Sequence, residues 1–99
     1  MAKELAGRLY LSGMDGQAAA LARQWGAGYE IAAFCYAPML DQPETARQVR
    51  RDMEGVDRFW FHAPFAELTP CAIDPLVRDV AERRLLQAAG QAADLGVTR

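Results

Sequence analysis

Three times in 99 residues, a short apolar run with β-compatible side chains is followed by a segment with helical spacing and its own start and stop signals. A strand-helix-strand-helix-strand-helix chain makes parallel strands, because a crossover through a helix returns each strand in the same direction and with right-handed sense. The first strand is expected over Arg8 to Ser12, ending at Gly13. Asp15 then caps a helix with Ala18, Leu21, Ala22 and Trp25 as its apolar positions, closed by Gly26 and Gly28. The second strand, Tyr29 to Phe34, is apolar almost throughout, as befits a parallel strand covered on both faces. Pro38 to Pro43 reads as a loop, and Pro43 as the first residue of a helix that turns Ala46, Val49 and Met53 inward. The third strand covers Arg58 to His62. Asp74-Pro75 opens the longest helix, whose stripe is Val77, Val80, Ala81, Leu85, Ala88, Ala92 and Leu95. Gly96 is its stop, and Gly90 inside it either weakens it or admits a close neighbour.

Apolar residues make up 52% of the chain and charged residues 24%, with a net charge of -2, which describes a folded α/β protein rather than a disordered one. The longest uncharged apolar stretch, Ile31 to Leu40, is broken by Pro38 and falls short of the ~18 residues that a membrane span needs. Lys3, Glu4 and Arg8 occupy the first residues without an apolar core, unlike a secretory signal, so the cytoplasm is the expected compartment. Cys35 and Cys71 form no C-x-x-C pair and are expected as reduced thiols. A Cys-His-Cys metal site with His62 lacks the tight ligand pairs that mark zinc motifs. Arg47, Arg50 and Arg51 fall on the outer side of their helix, where a solvated face is favoured over phosphate contact, and Asp52 and Glu54 dilute their charge.

Two parallel architectures suit this order of elements. A doubly wound dinucleotide fold requires a glycine-rich turn after the first strand, but Ser12-Gly13-Met14-Asp15-Gly16 has no G-x-G-x-x-G pattern and puts an acid where phosphate would approach. A barrel makes no such demand. The expected fold is therefore α/β, the first three β-α units of a TIM (β/α)8 barrel, incomplete because such barrels take ~250 residues. Val97-Thr98-Arg99 reads as the start of a fourth strand. Ligands of these folds bind where the loops leave the carboxyl ends of the strands, which is where His62 falls.

The ordered run Phe59-Trp60-Phe61-His62-Ala63-Pro64-Phe65, then Leu68-x-Pro70, Asp74-Pro75 and an Arg-rich helix ending Ala93-Asp94-Leu95-Gly96-Val97, resembles an H-x-P segment and the helix after it in a known group. This is the sugar phosphate isomerase/epimerase family of xylose isomerase-like TIM barrels, related in fold to the endonuclease IV-like enzymes. The likeness is loose over the whole chain and closer over residues 59 to 97. It implies aldose-ketose isomerisation or epimerisation of a sugar or sugar phosphate by proton transfer next to a carbonyl. It also implies a divalent metal whose ligands lie on strands after residue 99, so residues 1 to 99 alone are expected to be inactive.

Within that resemblance His62 is the leading substrate-binding candidate, set against a strand-end histidine that merely bonds a loop carbonyl. Glu30 resembles the acid many members carry on strand two, though it could equally pair with a Lys or Arg of an adjoining helix. Glu67 lies in the loop beyond His62, where an acid can reach the mouth or simply be solvated. Trp60 and Phe61 read as wall and core. Two other classes stay open. One is a metal-dependent endonuclease IV-like phosphodiesterase, disfavoured by the mildly acidic charge. The other is a small non-catalytic interaction module whose open sheet edge is covered by a partner or by its own copy, giving a homo-oligomer.

Overall fold

The computed structural model describes residues 2–99. A short helix α1 (Ala2–Ala6) leads into β1 (Tyr10–Gly13), α2 (Gly16–Trp25) and β2 (Gly28–Ile31). A 3-10 turn over Ala37–Asp41, α3 (Pro43–Met53), β3 (Phe59–Phe61) and α4 (Pro75–Asp94) follow. The strands form one parallel sheet in the order β1-β2-β3, with Tyr29 opposite Leu11 and Phe59, and Glu30 opposite Ser12 and Trp60.

Local chemistry sets the helix ends. Asp15 accepts the Gln17 N–H at 3.0 Å and Asp74 accepts that of Leu76 at 2.9 Å, each satisfying a donor the first turn leaves free. Gly26 ends α2 in the left-handed region at φ 70, and Gly96 takes the same conformation at φ 77 after α4. Gly28 does not share in closing α2; it is the first residue of β2.

Side chains at alternate positions divide between the two faces of the sheet. Leu11, Tyr29, Ile31, Phe59 and Phe61 pack with α2 and α3 around Tyr29, Phe34, Ile31 and Val49, the largest fully buried side chains. Phe34 stacks on Phe61 with ring centres 5.4 Å apart. The other face carries Tyr10, Ser12, Gly28, Glu30, Trp60 and, one step on, His62.

Several expectations are corrected. Arg8 and Leu9 belong to the turn closing α1, whose N–H groups bond Leu5 and Ala6 carbonyls, so β1 starts at Tyr10. Strand two stops at Ile31: the Ala32 N–H bonds Gly13 and the Cys35 N–H bonds Ala32, turning the chain while Ala32 to Cys35 stay buried. The Pro38 to Pro43 loop contains most of the 3-10 turn. Leu21 and Trp25 are 40% and 55% exposed, because α2 packs instead through the small Ala18, Ala19 and Ala22. Val77 and Val80 are likewise exposed at the front of α4, whose contact with the body runs through Ala81, Ala88, Leu95 and the Asp41 bonds of Arg84 and Gln87. Gly90 meets no neighbour within 4 Å and so only weakens its helix. Val97 to Arg99 is not a strand by itself, yet the Phe61 N–H donates to the Arg99 carbonyl at 2.8 Å, the first rung of pairing on the open side of β3.

Tyr29 combines full burial with a hydroxyl that has no hydrogen-bond partner among the described residues. Burial first, and then the charges of Asp52 and Asp15, push its phenol up to about 12. An unfolded tyrosine ionises near 10, so this contribution is whole below pH 10 and is lost as the pH rises from 10 through 12. The expected loss is on the order of 2 kcal/mol over that window. Tyr29→Phe should abolish it without lowering stability at neutral pH, since no protein partner is left unpaired. Urea melts of both proteins from pH 7 to 12 check this, and a parallel alkaline loss in Tyr29→Phe contradicts it.

Candidate functional site

The face of the sheet turned away from the helices holds the polar groups. Ser12 Oγ donates to Glu30 Oε1 at 3.0 Å across β1 and β2, so the carboxylate is held by a hydroxyl rather than by an ion pair. Glu30 is half-buried, and its second oxygen takes no hydrogen bond from the described residues. Its charge is felt by Cys35, whose thiol is pushed up chiefly by burial and secondarily by Glu30. A buried, protonated thiol is a poor nucleophile. Cys71 is free and exposed.

His62 follows β3, tied to the sheet by its N–H bond to the Ile31 carbonyl at 2.9 Å. Its Nδ1 lies 2.8 Å from the Ala63 carbonyl, and its ring tilts against Phe65, 5.2 Å between centres. A carbonyl only accepts, so Nδ1 carries the proton and a neutral ring keeps the Nε2 lone pair free. The loop-carbonyl bond and a binding role are therefore compatible: one nitrogen fixes the ring and the other is presented.

The same face also carries an aromatic stack. Tyr10 and Trp60 stack with centres 4.4 Å apart and planes 13° from parallel, although one is on β1 and the other on β3. Gly28 on the strand between them makes this possible, because a Cβ there would collide with the Tyr10 ring. The Arg58 guanidinium sits 5.2 Å from the Tyr10 ring centre and donates to the carbonyls of Gly7, Ala6 and Gly26 at 2.6, 3.0 and 3.2 Å. Trp60 is 44% exposed on this face, and Phe61 packs on the core as expected. The signal was Tyr10-x-Ser12 and Arg58-x-Trp60-x-His62 in alternation, with a glycine opening the strand between.

Glu67 stands apart from these groups, exposed and flanking a groove of about 350 Å³ with Leu76, Val77 and Val80 of α4. It is the one non-glycine residue at positive φ among those described, at 63°. Glu67→Gly should therefore stabilise the ligand-free fold by about 0.5 to 1 kcal/mol, and it weakens binding if the side chain has a binding role. Thermal melts and ligand titration of the variant separate the two effects.

No three His, Cys, Asp or Glu side chains among the described residues come together to hold a metal ion. The divalent metal implied by the resemblance does not find its ligand set in these residues. Arg47 and Arg51 are paired with Glu44, and Arg50 donates to the Asp94 carbonyl, so the basic side of α3 is engaged within the protein. Glu44 is held below the usual carboxylate range by its hydrogen bonds to Arg47 and Arg51. Among the described residues no helix is long and apolar enough to cross a membrane. Comparison with protein-family models, with curated proteins and with solved structures finds no match.

Proposed function

We propose that the chain contributes three β-α units of a (β/α)8 barrel acting on a sugar or sugar phosphate, in the manner of the isomerases and epimerases its third unit resembles. The observation that supports this most is the row on the helix-free face. A hydroxyl-oriented carboxylate, Glu30, and a histidine with a free Nε2 acceptor, His62, lie near the carboxyl ends of adjacent parallel strands. Both are acceptors, and a sugar offers a series of O–H donors. Fixed acceptors on rigid strands orient such a ligand at little cost in side-chain entropy. Proton transfer next to the carbonyl needs a base within reach of the carbon-bound proton, and Glu30 is the carboxylate this face supplies.

The test is a titration of isotope-labelled protein with aldoses and ketoses, followed by amide and side-chain NMR. Shifts are expected at Ser12, Glu30 and His62, with His62→Ala and Glu30→Gln each weakening binding by about fivefold or more, the equivalent of one lost hydrogen bond. Shifts confined to other faces, or no response to any sugar, overturn the reading. Residues 1 to 99 with added divalent metal are expected to show no turnover; turnover would place the ligand set within them.

A second reading, an interaction module, draws on α4. Ile73, just before it, and Leu76 and Leu86 on it are 96%, 77% and 67% exposed, apolar area that a partner could cover. Sedimentation as a stable dimer whose formation Leu76→Asp abolishes would favour this reading.

A further inference from the structure

We infer that the outward stripe of α4 is a self-association surface, on which a second copy of this chain docks antiparallel about a twofold axis at the level of Ala81. The inference rests on the α4 reading above and names its partner and register.

Helical spacing gives α4 two sides. Ala81, Leu85, Ala88 and Ala92 fall on one and turn to the body, with Ala81 and Ala88 buried and the other two partly so. Leu76, Asp79, Arg83, Leu86 and Gly90 recur at alternating spacings of three and four on the opposite side, and all are exposed. That is the spacing of a coiled-coil seam. A further β-α unit would join at the open side of β3, where Leu85, Ala88 and Ala92 border Phe61 and Val97. It would leave the outward stripe uncovered, so an unfinished sheet does not account for the exposed leucines there.

The order of side chains about Ala81 identifies the partner. Leu76 and Leu86 stand five residues to either side of it, and Asp79 and Arg83 two. In an antiparallel helix pair centred there, Leu76 packs on the partner's Leu86 and Asp79 faces the partner's Arg83, each contact being made twice. Ile73, eight residues before Ala81, arrives beside the partner's Gly90, where a Cβ would meet nothing within 4 Å and the space is free for it. Asp79 and Arg83 already pair at 2.9 Å within one chain, so a second copy closes a ring of four alternating charges. A parallel pair in register would instead set Asp79 against Asp79 and Arg83 against Arg83, and charge therefore selects the antiparallel arrangement. Near the axis Val80 meets its own copy on one flank and Glu82 meets its own on the other; the second contact is unfavourable. α4 has 20 residues and is about 30 Å long. One such helix pair covers less than the ~800 Å² per partner of a standard interface, so the dimer is weak and concentration-dependent.

The experiment sediments the 99-residue chain over a wide concentration range, where the parent is expected to pass from monomer to dimer. Asp79→Arg and Arg83→Asp should each weaken self-association about tenfold, because symmetry makes every exposed charge contact count twice. An equimolar mixture of the two variants should dimerise like the parent, since opposite charges face each other again; a misfolded variant could not do so. Glu82→Gln should tighten the dimer. Orientation is read from disulfides formed in a Cys71→Ser background, in which the remaining Cys35 is buried. Leu76→Cys should cross-link to Leu86→Cys in a mixture and should not cross-link to itself. If the parent dimerises but neither charge reversal weakens the dimer, or if Leu76→Cys cross-links to itself, this seam is overturned and the α4 reading survives with another arrangement. If the parent stays monomeric throughout, the seam and the α4 reading both fall.

Discussion

Arg58→Ala is expected to lower the stability of the protein by about 2 to 3 kcal/mol, among the largest losses any single surface-reaching side chain here can cause. Its guanidinium donates to the carbonyls of Ala6, Gly7 and Gly26, which close α1 and α2, and it lies against the Tyr10 ring. Charged hydrogen bonds contribute about 1.5 to 3 kcal/mol each when sheltered and less when wet, and two of these three are solvent-exposed, which sets the total at the lower figure. For a domain of this size the change corresponds to a drop in melting temperature of roughly 10 to 20 °C. Arg58→Lys should recover less than half, since an ammonium cannot serve three carbonyls in a planar fork. A melting temperature within a few degrees of the parent for Arg58→Ala would show that α1 and the α2 end are held by other means.

Gly28→Val is expected to cost about 3 kcal/mol for a different reason. A Cβ at this position meets the Tyr10 ring, and the two further methyl groups of valine leave the ring no way to stay over β2. Tyr10 must swing out, losing its stack with Trp60 as well as its cover over the strand. Near-UV circular dichroism should therefore change along with the denaturation midpoint. In a Tyr10→Ala background the same substitution should cost far less, because the steric conflict has gone. Equal costs in both backgrounds would mean that Gly28 is required for its backbone alone.

Helix ends were the most legible part of the fold, because they are set within a few residues: Asp15 and Asp74 cap, Pro43 and Pro75 start, and Gly26 and Gly96 stop the helices as local chemistry requires. The order of the parallel strands followed from the alternation of elements. What failed was the inference from apolar pattern to partner. Val77 and Val80 sit at helical spacing with Ala81, yet periodicity defines a face without saying what covers it, and the front of α4 stands clear of the body. Ala32 to Phe34 read as strand because they are apolar, and they are buried, but their backbone turns away from the ladder after Ile31, so burial and pairing part company there.

The candidate site was half legible. His62 at the end of an apolar strand, and Glu30 within one, were visible as polar residues in the wrong company for a core. That Ser12 holds Glu30, or that Tyr10 reaches Trp60 over Gly28, depends on register between strands far apart in sequence, which no local pattern encodes. Glu67 was named from its loop position alone, and its side chain borders the α4 groove rather than the Ser12–Glu30 pair.

A sugar bound at His62, the single histidine of the chain, is read in the ring-nitrogen NMR spectrum recorded with and without a saturating monosaccharide. Nδ1 is expected to carry a proton donated to the Ala63 carbonyl, and the Nε2 resonance to move toward the hydrogen-bonded range when sugar is added. A ring protonated at Nε2 in the free protein, or an Nε2 resonance indifferent to sugar, would contradict it.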